Sequence, residues 1–177
     1  MDRRGRVKGA PPAVILGVSC DFHDAAAALV VDGRIAAAAE EERFSRVKHD
    51  AAVPAGAIAS CLSIADVSVE DIDAVVFYER PMSVLQRYLA ARQRAGIRGL
   101  AGFTTNAPAL VGRNLMVTYR IERTLRHLGR RTSPRFSYAD HHQSHAAAAF
   151  YPSPFEQAAV VGRVTPMAGT ASRLVVA

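Results

Sequence analysis

The chain has 177 residues, 50% hydrophobic and 21% charged, enough apolar material for one ordinary core and too much for an extended disordered segment. No run approaches the roughly 18 uninterrupted apolar residues of a membrane span, and Met1-Asp2-Arg3-Arg4-Gly5-Arg6 leads into too short an apolar stretch for a secretory signal, so a cytoplasmic globular protein is expected. The formal net charge of +6 would suit nucleic acid, but the interleaving of basic residues with aromatics or glycines that such binding requires is absent.

Residues 1–12 mix charges with Gly and the Pro11-Pro12 pair and read as a flexible lead-in. Val14-Ile15-Leu16-Gly17-Val18-Ser19 then predicts a buried strand that emerges into the polar loop Cys20-Asp21-Phe22-His23-Asp24. Asp32-Gly33 stands between Leu29-Val30-Val31 and Arg34-Ile35-Ala36-Ala37-Ala38, a strong hairpin signal. That turn overrides the weak helical preference of the alanines and predicts two antiparallel strands. A dense polar segment follows over 40–50, then a helix over 55–65 with Ile58, Leu62 and Ala65 on one face. Ala74-Val75-Val76-Phe77-Tyr78 is another short buried strand, which would pair with the first hairpin in a mixed sheet.

Helical spacing recurs over 82–94 and over 111–128, the second with Leu115, Tyr119, Ile121 and Leu125. Gly96, Gly99, Gly102 and Pro108 interrupt the pattern between them. Phe136-Ser137-Tyr138-Ala139 is strand-like, and Asp140 opens an alanine-rich helix that ends before Pro152-Ser153-Pro154. Ala158-Ala159-Val160-Val161 starts a last strand, whereas 162–177 shows no period beyond the apolar Leu174-Val175-Val176. Cys20 and Cys61 lack any C-x-x-C spacing and are expected as small buried residues. Acids predominate over 21–79 and arginines over 80–135, a stretch that reads as a solvated helical face or as a surface for anions or a partner.

His141 and His145, four apart, project from one helical face and can ligate one metal through their imidazoles; a buried polar pair or an exposed coincidence has the same spacing. His142 points elsewhere on the helix, toward substrate or solvent. His23 and Asp24 follow the first strand, where α/β enzymes often place reacting groups, and a His beside a carboxylate can take a proton from a hydroxyl. Arg46, Lys48 and His49, with Glu42 and Arg43, form either a salt-bridged surface or a site for phosphate or a polarised carbonyl.

Four blocks in order carry a family resemblance. They are Gly17-x-Ser19 with His23-Asp24-x-Ala26-Ala27; Asp32-Gly33-x-Ile35; Ala39-Glu40-Glu41-Glu42-Arg43-Phe44-Ser45-Arg46-x-Lys48-His49-Asp50; and His141-His142-x-Ser144-His145-Ala146-Ala147 with Phe150-Tyr151-Pro152-Ser153-Pro154-Phe155. Over residues 13–161 they resemble the N-terminal domain of the O-carbamoyltransferases of nodulation-factor and antibiotic biosynthesis. The resemblance implies an α/β fold of the actin-like, ribonuclease-H-like type, a mixed sheet with helices, related to the enzyme that makes threonylcarbamoyl adenosine in tRNA, of which this chain would hold the first half. It implies that carbamoyl phosphate and ATP form carbamoyladenylate in a separate C-terminal domain, and that the N-terminal domain passes the carbamoyl group to a hydroxylated sugar or antibiotic-type acceptor. By motif, His141 and His145 would hold an iron-like divalent metal and His23 would be the base, with Asp24 beside it. Arg46, Lys48, His49 and His142 would lie near the adenylate or substrate, with no role for nucleic acid or membrane.

The sequence also departs from the family pattern. An Asp-Gly pair that supplies a further metal ligand is expected after the 158–161 strand, where Gly162-Arg163-Val164-Thr165-Pro166 stands instead, and no Asp or Glu follows Glu156. Residues 162–177 therefore read as a divergent tail, as from a truncated or frameshifted reading frame, with the metal weakly held and activity absent without a partner. The competing reading is a non-catalytic module that binds a nucleotide, an anion or a protein through the arginine-rich stretch.

Overall fold

The structure, a computed structural model, describes residues 13–22, 24–81, 116–164 and 171–176. The expected lead-in at 1–12, the helix at 82–94, the glycine-interrupted stretch after it and the candidate base His23 lie outside the described residues. In chain order the elements are β1 (Val14–Ser19), β2 (Ala26–Val31), β3 (Arg34–Glu40), α1 (Glu42–Ser45), α2 (Ala55–Ala65), a 3₁₀ turn (Val69–Asp71), β4 (Ala74–Phe77), α3 (Val117–His127), β5 (Arg135–Tyr138), α4 (His141–Phe150), β6 (Ala159–Val164) and β7 (Ala171–Val176).

The Asp-Gly turn sets the first three strands. Asp32 and Gly33 both have positive φ, 52° and 77°, the backbone of a two-residue turn whose twist matches that of antiparallel strands. β2 pairs with β3 from Ala26↔Glu40 to Val31↔Arg34, with a register shift between Leu29 and Val30. β1 pairs antiparallel with β2 and parallel with β4, and β4 pairs parallel with β5. The sheet order is β3-β2-β1-β4-β5, the expected mixed sheet with helices.

One face of this sheet carries the core. Val14, Leu16 and Val18 from β1, Leu29 from β2, and Val75 and Phe77 from β4 are buried with Ala57, Ile58, Cys61 and Leu62 of α2 and with Val117, Ile121 and Leu125 of α3. The α3 face runs at spacing i, i+4, i+8 from Val117, whereas Tyr119, named with the helical spacing, is 56% exposed. Both cysteines are buried, as expected, and burial raises the pKa of the Cys61 thiol.

β1 is buried on one face only. Ile15 is 37% exposed, and the opposite face of β1, β2 and β4, lined by small residues such as Gly17, Ala26 and Ala28, floors an open groove of about 1310 Å³ that α4 borders with Ser144 and Ala147. The polar segment after β3 contains the helical turn α1, which composition did not announce. β6 continues to Val164 and pairs antiparallel with β7, so residues 171–176, without a period of their own, acquire strand structure from a partner.

Candidate functional site

The parallel strands β1, β4 and β5 end together. Val18 is level with Phe77, and Phe77 with Tyr138, so three chain segments leave the same carboxyl edge of the sheet. In open α/β sheets this edge is where ligands bind. Asp21 and Asp24 follow β1, Tyr78 and Glu79 follow β4, and Asp140 with α4 follows β5. The β1–β2 loop is fastened to the segment after α1, because Asp21 N–H donates to Ala51 O and Ala25 N–H to Asp50 O, each at 2.8 Å. That pairing brings His49 to the same edge.

Asp140 is extended (φ −80°, ψ 136°) and α4 begins at the next residue, so His141 occupies its first position. The helix is seated on the end of β4, with Ser144 Oγ donating to Tyr78 O at 3.0 Å and the Tyr78 and His141 rings 5.6 Å apart. The i, i+4 spacing then does what was expected of it, placing His141 Nε2 and His145 Nε2 3.1 Å apart. Two imidazole bonds of about 2.0–2.1 Å to one cation, meeting near a right angle, need about that separation, so the donor set fits a divalent metal. Among the described residues no third His, Cys, Asp or Glu joins them in a metal-binding group. On the other side of the His141 ring, Nδ1 is 3.7 Å from Glu79 Oε1. His142 is half-buried, with its ring 5.5 Å edge-on from that of His141, and does not share the Nε2 pairing.

The second cluster regroups two expected residues. Sequence adjacency coupled Asp24 to His23, but Asp24 Oδ1 lies 2.8 Å from Nδ1 of His49, 25 positions away. Both residues take positive φ, Asp24 at 54° and His49 at 57°, turning their side chains toward each other where a regular strand or helix would not. The hydrogen bond to Asp24, and then the charge of Asp24, raise the His49 pKa. Arg46, at φ 60°, closes α1, and both it and Lys48 are exposed. Asp50 ends the loop with its pKa lowered by the Ala52 N–H and then by the Ser45 hydroxyl.

The loop's position depends on Glu41, which the sequence did not single out. Its buried carboxylate accepts from the N–H groups of Gly56 at 3.1 Å and Ala57 at 2.8 Å, satisfying donors at the start of α2 that the helix itself cannot. Asp21 is equally new to the site. It is buried after β1 and pairs with Arg120 of α3, 99 positions away. A carboxylate at the end of an apolar strand was the available signal; its partner was not legible.

The arginine-rich stretch is engaged within the chain in part where it is described. Arg120 pairs with Asp21, Arg126 pairs with Glu122 at 2.8 Å, and buried Arg130 donates to the carbonyls of Thr132 and Val69 at 2.6 Å each. These contacts engage Arg120, Arg126 and Arg130 within the chain.

The family described as carbamoyltransferase N-terminus matches residues 14–166. An uncharacterized protein of Synechocystis is 43% identical over 150 residues, 83% of this chain and 24% of that protein. The nodulation protein NolNO of Sinorhizobium fredii is 35% identical over 144 residues, 79% of this chain and 19% of that protein. The chain thus spans about a quarter or less of these two relatives. Among solved structures, YeaZ from Pseudomonas aeruginosa aligns over 93% of this chain and 67% of its own, at 11% identity and a TM-score of 0.41.

Proposed function

The chain belongs to the carbamoyltransferase N-terminal family, and from that premise we propose that it is the acceptor-side domain of an O-carbamoyl transfer reaction. The observation that carries this reading is the convergence of His141 and His145, Nε2 to Nε2 at 3.1 Å, on the sheet edge that also bears the Asp24–His49 loop. The donor would be carbamoyladenylate, made from carbamoyl phosphate and ATP by a separate carbamoyl-activating domain. The acceptor hydroxyl of a sugar or antibiotic-type molecule attacks the carbamoyl carbon, AMP leaves, and the hydroxyl proton passes to His23.

Asp24 takes a different part from the one its sequence neighbour suggested. Bound to Nδ1 of His49, it favours the protonated imidazole, and with exposed Arg46 and Lys48 this gives a cationic loop suited to the adenylate phosphate. His142, half-buried next to His141, would touch substrate in this reading. His141 and His145 would hold a divalent, iron-like ion, which when bound supplies a positive charge that polarises a substrate oxygen. Two neutral ligands, with no carboxylate joining them among the described residues, make this a weak site.

The test is a carbamoyl-transfer assay with carbamoyl phosphate, ATP and a panel of hydroxylated sugars and antibiotics, with and without a carbamoyl-activating domain from a longer relative. Carbamate product is expected only with the added domain, and not with His141→Ala. Turnover by the chain alone, or product undiminished by His141→Ala, overturns the assignment.

A further inference from the structure

Glu79 belongs to no motif described above, yet it sits against the histidine pair. It follows β4 and Tyr78, and its side chain is only 13% exposed. Its Oε1 lies 3.7 Å from Nδ1 of His141, while Nε2 of the same ring, on the opposite side, faces His145 at 3.1 Å. The carboxylate therefore addresses one nitrogen and the pair uses the other.

We propose that Glu79 is the positioning carboxylate of this centre, holding the proton of His141 on Nδ1 so that Nε2 is open, with Nε2 of His145, to a divalent cation. The inference rests on the reading of His141 and His145 as metal ligands. A neutral imidazole has one N–H and one lone pair. Two facing Nε2 atoms at 3.1 Å have two ways to coexist. One ring can donate its Nε2–H to the other, which removes a ligand, or both can carry their protons on Nδ1, which leaves two lone pairs for a cation. A carboxylate near Nδ1 favours the second state. At 3.7 Å it acts through its charge, being beyond hydrogen-bond range. A cation on Nε2 strengthens the Nδ1–H as a donor toward it, the arrangement by which carboxylates support metal-bound histidines elsewhere.

The backbone just after β4 fixes the pairing. Tyr78, next to Glu79, accepts the Ser144 hydroxyl through its carbonyl and places its ring against His141, so the dipeptide holds α4 on the side where the histidines start. Tyr78 and Ser144 supply the geometry, and Glu79 selects the tautomer.

Cobalt(II), titrated into the whole chain and followed by its visible spectrum and by calorimetry, is the probe. Glu79→Ala should weaken cobalt binding about 10–100-fold, and Glu79→Gln, which keeps an acceptor oxygen but not the charge, by less. Nitrogen-15 shifts of His141 in the metal-free protein should report the Nδ1–H tautomer in the wild type and a shift toward Nε2–H in Glu79→Ala. His127→Ala, on the exposed side of α3, should change neither readout. If Glu79→Ala unfolds the chain, Glu79→Gln decides the matter alone. Unchanged cobalt affinity and tautomer in a variant that still folds overturns the role of Glu79 while leaving the ligands intact. Loss in Glu79→Gln as complete as in His141→Ala also overturns it, making Glu79 a ligand. Cobalt binding that is absent, or indifferent to His141→Ala and His145→Ala, removes the metal-ligand reading itself.

Discussion

Gly56 lies in the first turn of α2, where alanine is the better helix former by up to about 1 kcal/mol. Propensity by itself therefore predicts that Gly56→Ala stabilises the protein. The packing predicts the opposite. A Cβ at position 56 would stand 2.6 Å from Phe44 Cβ, 2.9 Å from its Cγ and 3.2 Å from Glu41 Oε1. Nonbonded carbons prefer about 3.5–4.0 Å, and forcing extra volume into a packed contact costs about 1–3 kcal/mol. The clashing Phe44 Cβ is attached directly to backbone, so no side-chain rotation relieves it, and α1 must move away from α2. That movement also strains the hydrogen bonds from Gly56 and Ala57 to Glu41. The expected net loss is about 1–2 kcal/mol, a fall of about 0.5–1 M in the urea midpoint at an ordinary slope for a small domain. Equilibrium urea unfolding by circular dichroism measures it. The same substitution in a Phe44→Gly background, which removes Cβ as well as the ring, should lose most of its penalty; Phe44→Ala would not serve, because it keeps the offending atom. A midpoint raised by Gly56→Ala in the otherwise native chain would refute the packing argument.

The Asp24–His49 pair gives a pH dependence. His49 has a pKa raised above 6.5 in the fold, so the stabilisation of the loop is complete below 6.5 and is lost as pH rises through the folded value. Asp24→Asn should return the His49 pKa toward 6.5, read from its imidazole proton shifts, and an unchanged titration would show the pairing to be absent in solution. Arg120→Met leaves the buried Asp21 carboxylate without its guanidinium and should destabilise by about 1–3 kcal/mol, less than a fully buried pair because Arg120 is a third exposed. Adding Asp21→Asn should recover part of that loss, and strictly additive effects in the double variant would refute the coupling. Leu16→Ala, at 0% exposure in the central strand, should cost about 2–5 kcal/mol in the same unfolding assay, and a loss below 1 kcal/mol would place Leu16 outside the core.

Local chemistry made the sheet's beginning and the histidine helix legible. Asp32-Gly33 specifies a turn through backbone preferences of its own two residues, and a four-residue separation puts His141 and His145 on one helical face whatever surrounds them. The α2 boundaries were readable for the same reason, with Pro54 before the helix and Ile58 and Leu62 at helical spacing. Where two loops, or a segment without a period and its partner strand, had to find each other, the sequence was silent. β7 has no usable period and exists through its register with β6; Tyr119 has helical spacing but lies off the buried face, where Val117 packs instead. Asp24 was read with its neighbour His23, yet its hydrogen bond goes to His49, because positive φ at both residues and the two backbone bonds between the loops bring their side chains together. Glu79, Glu41 and Asp21 look like ordinary acids along the chain. Only the tertiary structure sets one beside His141, one on the start of α2 and one against Arg120, since charge pairing across such separations depends on strand order rather than on any interval in the sequence.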